Sequence, residues 1–373
     1  MVSEYIEMIL TGICQKLQLS PTLYEQADSR YHTIAEVIDN DQVFSRTKIK
    51  IYPQGSFRLK TTVKPLSESE YDLDFVAELP IDSHMTPNEL YDNIYRILSM
   101  DGRYKQKVEK KSRCIRVNYS NDFHLDIMPG KLINPSTKEI VVPDKKTRAD
   151  YHNSNPIAYA EWFEEKARNR VISEINCHKF KATVEKVTEQ ELAKHLEPLR
   201  RATQLIKRYR DLYCTKTNSE PVRSIVICTL LGQISKYSSS TLDIISLFCA
   251  YVQNLIDNAD GVPFTVCNPV VDEILTEKWS EDKNYKDFVN MIKALSNDIN
   301  KLKTSCTNTD INGLLKEMFG EKVTNEVILD YASKISNERQ NNNLYVSPSG
   351  IINTNKQGTN IPKNTFWGVE DKI

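Results

Sequence analysis

The feature that most constrains this chain is a change of hydrophobic period near Pro156. Before it, apolar and polar residues alternate in several short runs; after it, apolar residues recur at helical spacing almost to Ile335. The alternating runs cover residues 48–52, 71–76, 113–119 and 123–128, and Ser120-Asn121-Asp122 joins the last two as a hairpin. Helices precede and interrupt these strands. Ser20 caps a helix that Pro21 opens, with Tyr24, Ala27, Tyr31, Ile34 and Ile38 on one face. Thr86-Pro87 opens another, carrying Leu90, Ile94, Ile97 and Leu98. Residues 129–151 read as turn-rich and basic. The second half predicts helices over 159–170, 189–213, 224–237, 242–256, 285–302 and 312–319. The expected organisation is an α+β domain with a mixed sheet (residues 1–155), an all-helical domain (156–336) and a flexible Asn-, Ser- and Gly-rich tail (337–373).

At 373 residues the chain exceeds the ~250–300 at which single cores stop growing, which fits two domains. Its 49 Lys and Arg balance 50 Asp and Glu, so the net charge of −1 gives no overall pull toward long nucleic acid or an anionic membrane. Any polyanion must be held by a local site. Eight cysteines (14, 114, 177, 214, 228, 249, 267 and 306) lie far apart, without C-x-x-C or zinc-finger spacing, and read as reduced thiols, several of them in core runs. Glu4 and Glu7 stand where a signal peptide would need basic residues. No stretch approaches the ~18–20 apolar residues of a membrane span, so a cytoplasmic protein without a membrane partner is expected.

The chemistry concentrates between Gln54 and Asp126. In the run Tyr71-Asp72-Leu73-Asp74-Phe75, Asp72 and Asp74 project from one side of a strand whose other side is apolar. Carboxylates this close repel unless a cation sits between them, and Mg²⁺ suits carboxylate and phosphate oxygens, with Mn²⁺ as a substitute. Asp126 lies in a second alternating strand. If the strands pair, three carboxylates meet on one face, enough for two metals and a triphosphate. Gly55-Ser56 follows a strand and opens a short helix, where backbone N–H groups and a hydroxyl can meet phosphate oxygens. Each signal alone is weak, since Gly-Ser occurs in many turns and Asp-x-Asp on many solvated faces; their order and spacing make the functional reading the stronger one.

At this point the sequence resembles the polymerase-β-like nucleotidyltransferases. More closely, it resembles the bacterial cGAS/DncV-like nucleotidyltransferases (CD-NTases), which make cyclic oligonucleotide second messengers in anti-phage defence. The residues that carry the likeness are Gln54-Gly55-Ser56-Phe57-Arg58-Leu59, Thr61-Thr62-Val63-Lys64-Pro65, Tyr71-Asp72-Leu73-Asp74 and His124-Leu125-Asp126-Ile127-Met128-Pro129. It continues through residues 205–211, Asn268-Pro269 and Trp279. Lys60 is a departure, standing where the family pattern has glycine. The resemblance implies a template-independent enzyme using Mg²⁺ and nucleoside triphosphates to make a cyclic di- or trinucleotide. Asp72, Asp74 and Asp126 would serve as catalytic and metal-binding residues, and Gln54, Gly55, Ser56, Lys207 and Ser224 would bind nucleotide. A regulatory or defence-system protein is the partner it admits. The alternatives are nucleotidyl transfer to RNA or another acceptor, and a non-catalytic nucleotide sensor.

Around Lys207 the helical pattern places Arg200, Gln204, Lys207 and Asp211 along one polar stripe, with Leu199, Ala202, Ile206, Tyr209 and Tyr213 inward. The bland reading, a solvated basic stripe with Arg201, Arg208 and Arg210, competes directly. His124 shares the side of Asp126 and could orient it. Arg58 and Lys64 are as readily surface residues as phosphate ligands. Trp279 reads as core packing.

Overall fold

The computed structural model describes residues 2–44, 47–66, 71–119, 123–143, 151–168, 195–234, 236, 238–280, 282–347, 352–354, 356 and 358–362. The first half contains α1 (Val2–Leu17), α2 (Pro21–Asp39), β1 (Lys50–Pro53), α3 (Gly55–Arg58), β2 (Tyr71–Leu79) and α4 (Pro87–Met100), followed by β3 (Val108–Lys110), β4 (Ile115–Tyr119), β5 (Phe123–Asn134), β6 (Glu139–Pro143) and β7 (Tyr151–Ser154). The helical half has α5 (Pro156–Ala167), α6 (Pro198–Thr217), α7 (Ser224–Gly232), α8 (Thr241–Asn258), α9 (Asp282–Thr304), α10 (Asn308–Phe319) and α11 (Glu321–Gln340). The pairs β8 (Tyr345–Val346), β9 (Ile352–Asn353) and β10 (Thr359–Asn360) close the described chain.

The main sheet runs β1-β2-β5-β4-β3, with β6 on β5 and β7 on β6. Only the β2–β5 ladder is parallel, which makes the sheet mixed. The α2 and α4 helices cover one face: Ala27, Tyr31, Ile34, Leu90, Ile94 and Leu98 meet Ile51, Leu73, Phe75 and Leu125. Ser20 and Thr86 cap these helices through their hydroxyls, and Glu89 completes a capping box with Thr86. A small core of Tyr52, Val76, Ile140, Val142 and Ile157 fills part of the opposite face where α5 begins.

Three sequence expectations change here. Residues 129–143 are not turns throughout: β5 runs on through Pro129-Gly130, and β6 pairs back onto it with a bulge between Leu132 and Asn134. Pro129 stands past the last β4 pair at Ile127 and before the first β6 pair at Lys131, a change of partners where a residue without an N–H is tolerated. The α1 helix, grouped by sequence with the first half, packs instead with the helices of the second. Its Ile6, Ile9, Leu10, Ile13 and Leu17 share a core with α6, α8, α10 and α11, because these four helices present apolar faces to it. Its Glu7 accepts hydrogen bonds from Ser240 Oγ (2.6 Å) and the amides of Thr241 (3.0 Å) and Leu242 (2.8 Å), at the start of α8. Finally, the expected tail is ordered over part of its length. Residues 337–340 finish α11, β8 pairs with β9 and β10, and Asn360 Nδ2 donates to the carbonyl of Asn342 (2.9 Å). The expected helical stretches 169–170 and 189–194, Cys177, Ser120-Asn121-Asp122 and residues 363–373 lie outside the described residues. The seven described cysteines are free thiols; Cys267 and Cys306 are exposed rather than core. No described helix is long and apolar enough to cross a membrane.

Candidate active site

A cleft of about 700 Å³ lies between the sheet and the helical half. Gln54, Gly55, Ser56, Asp72, Asp74, His124, Lys207 and Ser224 all line it, so every residue expected to bind metal or nucleotide except Asp126 reaches this one space.

Parallel pairing of β2 and β5 sets Asp74 beside Asp126 and Asp72 beside His124. Because residues two apart share a side, these four belong to one face. Three acids so close need a positive neighbour, and a side chain supplies it. Arg116 stands opposite Asp126 in the antiparallel β4–β5 ladder. Its Nε meets Asp126 Oδ1 at 2.7 Å, its Nη2 meets Asp126 Oδ2 at 2.6 Å, and the same Nη2 reaches Asp72 Oδ1 at 3.1 Å. His124 Nε2 also contacts Asp72 Oδ1 at 3.0 Å, so this histidine orients Asp72, where the sequence suggests Asp126. Asp72 is well exposed to the cleft, at 62% of its side chain. Asp74 sits deeper; burial first, then the charges of Asp126 and Asp72, push its carboxyl up to about 7.

A divalent ion suits Asp72 and Asp74, whose carboxylates share the cleft and whose mutual repulsion it would relieve. The third acid does not join them. Both oxygens of Asp126 are taken by the Arg116 fork, and among the described residues no three His, Cys, Asp or Glu side chains form a group that could hold a metal. The three expected carboxylates do share one face, but in this structure Asp126 is paired with Arg116.

Gly55 has φ +59°, and a Cβ there would collide with the Asp74 carboxylate. Glycine is required on both counts. The amide of Gln54 donates to the Asp74 carbonyl at 2.8 Å, which ties the turn to the acid strand. The amide of Thr61 closes the following turn on the Ser56 carbonyl at 2.9 Å. Between them Lys60 adopts φ +55°, the left-handed conformation for which glycine is suited. The departure noted in the sequence changes the residue but not the backbone.

The polar stripe of α6 is not a solvated face. Arg200, Gln204, Lys207 and Arg210 are all buried. Along the helix, Arg200 donates to the Leu59 carbonyl, Gln204 Nε2 to Thr62 O (3.1 Å), Lys207 Nζ to Thr61 O (2.8 Å) and Arg208 Nη1 to Lys64 O (3.3 Å). Positions four, seven and eight apart share a helix side, so one helix stitches down the whole segment that follows the Gly-Ser turn. Burial pulls the Lys207 ammonium down to about 8.

Sequence reasoning missed several neighbours. Arg116 is the most consequential, and hairpin register was a usable signal: counting back from Ser120-Asn121-Asp122 sets it opposite Asp126. Arg210 lines the cleft and donates from Nη1 to Ser224 Oγ (3.0 Å) and Val222 O (2.8 Å), which fixes the serine at the start of α7. Tyr159 and Glu273 also line it, without a local sequence cue. Asn268 lies on the same wall and donates from Nδ2 to Glu273 Oε2 at 3.0 Å. Trp279 packs in the helical core against Phe264, Tyr285 and Phe288, as expected. Arg58 and Lys64 do not line the cleft.

Acids gathered on a strand pair, facing a helix that carries buried cations, suit the transfer of a nucleotidyl group from a triphosphate, and the fold agrees. The structure of the Bradyrhizobium diazoefficiens CD-NTase CdnG in complex with GTP superposes with a TM-score of 0.71 at 23% identity, covering 88% of this chain and 99% of that one. The Second Messenger Oligonucleotide or Dinucleotide Synthetase domain matches residues 6–167. A c-di-GMP synthase of Roseivirga ehrenbergii is 31% identical over 97% of both chains. The cyclic dinucleotide synthase CdnG of Bradyrhizobium diazoefficiens is 26% identical over 92% of this chain and 88% of its own. The chain belongs to the cGAS/DncV-like nucleotidyltransferase (CD-NTase) family, with its polymerase-β-like fold, and is a nucleotidyltransferase that makes a cyclic oligonucleotide second messenger.

Proposed function

We propose that this enzyme condenses GTP into a cyclic dinucleotide of the c-di-GMP type, in bacterial anti-phage signalling. The observation that carries the chemistry is the β2–β5 register, which sets Asp72 and Asp74 in the cleft that Lys207 and Ser224 enter from the other side. The choice of guanine rests on the name of the relative that shares 97% of its length with this chain.

In this reading Gly55 and Ser56 bring backbone and hydroxyl close to the donor phosphates, and Lys207 adds positive charge near them. Asp72 and Asp74 would hold Mg²⁺, which when bound neutralises the triphosphate and lowers the pKa of the attacking hydroxyl. Asp126, once free of its arginine, stands beside Asp74 to help take that hydroxyl's proton. The hydroxyl of one nucleotide attacks the α-phosphorus of the other, the bond to the β-phosphate oxygen breaks, and pyrophosphate leaves. A second transfer between the same two nucleotides closes the ring. The side chains position and neutralise; none forms a covalent intermediate.

Incubation with each triphosphate and with all four, followed by phosphatase and mass spectrometry, tests the proposal. GTP alone with Mg²⁺ should give a phosphatase-resistant dinucleotide. The Asp72→Asn, Asp74→Asn double variant should give none while keeping its fold by circular dichroism. A linear product, or label passing to added RNA, would refute the cyclase reading.

A further inference from the structure

We propose that Arg116 is a built-in cation that competes with divalent metal for Asp126, and so keeps the third carboxylate closed in the nucleotide-free enzyme. The proposal rests on the reading of this cleft as a nucleotidyltransferase centre.

Arg116 is placed by register and by packing. Its strand neighbours Ile115 and Val117 are fully buried, which fixes β4 and aims the intervening side chain at the acid face. The guanidinium is a planar fork, and here its two nitrogens cover the two oxygens of Asp126 at 2.7 and 2.6 Å. While that pairing lasts, two of the roughly four lone-pair sites of Asp126 are occupied and the guanidinium's charge opposes a second cation beside it. The same fork reaches Asp72 at 3.1 Å, so one positive charge serves two acids on neighbouring strands.

The hold is firm on one side only. Asp126 is buried, with 12% of its side chain exposed, while Arg116 keeps 23%, so the pair lies just behind the cleft surface with the arginine the more open partner. Arg116, the more exposed of the two, can move toward solvent, whereas the buried Asp126 needs a cation in its place if the arginine lets go. A divalent cation carries twice the charge of a guanidinium and can displace it; a monovalent ion cannot do so on charge. Two consequences follow. Arg116 offsets part of the repulsion in the acid cluster without metal, so the fold of the free enzyme does not depend on an ion there. Metal binding at Asp126 also carries an added cost, the removal of Arg116, that a metal ion arriving with a triphosphate is better able to meet.

The test uses the full chain without nucleotide and titrates Mn²⁺, reading the free-ion signal by electron paramagnetic resonance. Arg116→Gln should bind Mn²⁺ about tenfold more tightly than wild type, since a competing charge has been removed. Arg116→Lys should fall between the two, because a point charge cannot cover both oxygens. In EDTA, Arg116→Gln should also melt below wild type and recover with Mn²⁺, whereas the wild-type melting temperature should respond little. Equal Mn²⁺ affinities in the three proteins would overturn the proposal, as would a melting deficit that Mn²⁺ does not repair. Should the glutamine variant fail to fold, the lysine variant decides by its affinity alone. Failure of wild type to bind GTP would sink the functional reading instead, and leaves the Mn²⁺ comparison intact.

Discussion

The two walls of the cleft hold their charges in opposite ways. On the sheet, Asp72, Asp74 and Asp126 crowd together and borrow one guanidinium, leaving Asp74 with a carboxyl that ionises only near pH 7. On α6, Arg200, Gln204, Lys207 and Arg208 are spread at helical intervals and spent on four backbone carbonyls. The acid wall is strained and gains from an incoming cation. The donors of the basic wall already have carbonyl partners, and its job in the free protein is mechanical: it fixes the segment after the Gly-Ser turn. Crowding like charges is a functional arrangement, while pairing donors with carbonyls is a structural one that function can then share.

The sharpest way to break this contrast is to remove one charge from each wall. Arg200→Ala should destabilise the protein by about 3 kcal/mol, because it strips a buried carbonyl and Glu197 of their partner. Asp74→Asn should do the reverse and stabilise the nucleotide-free protein by roughly 1–3 kcal/mol. The sign follows from the raised carboxyl: folding penalises the charged form, so the gain is full above about pH 7 and vanishes well below the ordinary carboxyl range. Urea melts of both variants at pH 5 and pH 8 measure it. Losses in both would mean the acid wall is structural after all.

Lys207 belongs to both schemes and can sharpen the contrast. Its alanine variant should lose roughly 1.5–3 kcal/mol of nucleotide interaction, or about ten- to a hundredfold in kcat/KM. Since the ammonium is held near 8, GTP affinity of the wild type should weaken as pH rises through that value. Lys207→Arg, which does not titrate there, should bind less tightly but flatten the profile. Arg208→Ala, by contrast, should cost stability and spare kcat/KM, because Arg208 serves the Lys64 and Phe319 carbonyls outside the cleft. Steady-state kinetics on the three variants tests this. The smallest effect concerns Lys60, whose φ of +55° costs a non-glycine residue about 1 kcal/mol. Lys60→Gly should recover part of that in thermal stability without changing turnover.

The same contrast explains what the sequence made legible. Asp72 and Asp74 declare themselves through a spacing of two, and Gly55-Ser56 through its place between a strand and a helix; both are local facts. Lys207 could be placed on a helix side, but its carbonyl partner lies 146 residues earlier, and no periodicity shows that. Nothing in the spacing distinguishes a stripe facing water from one facing peptide groups. The strands beyond Pro129 were hidden for a related reason: Pro-Gly and Asn-Pro are turn signals locally, and only pairing with distant β2 and nearby β6 overrides them. Lys60 shows the converse. Its identity argues against a left-handed turn, yet the Thr61–Ser56 hydrogen bond and the Arg200 contact on Leu59 impose one. Arg116 was within reach, since hairpin register alone pairs it with Asp126.

The placement of α1 bears on how the chain is made. This helix precedes in sequence the helices α6, α8, α10 and α11 that complete its apolar side. Until those later helices have been synthesised, Ile6, Ile9, Leu10, Ile13 and Leu17 lack the core that buries them, so a segment made before them settles only after them. Closure across so much sequence is slow, and it leaves an apolar helix face uncovered during translation. It also means that a stalled or truncated nascent chain cannot complete the helical wall of the cleft, so an unfinished protein has no means of making the signal.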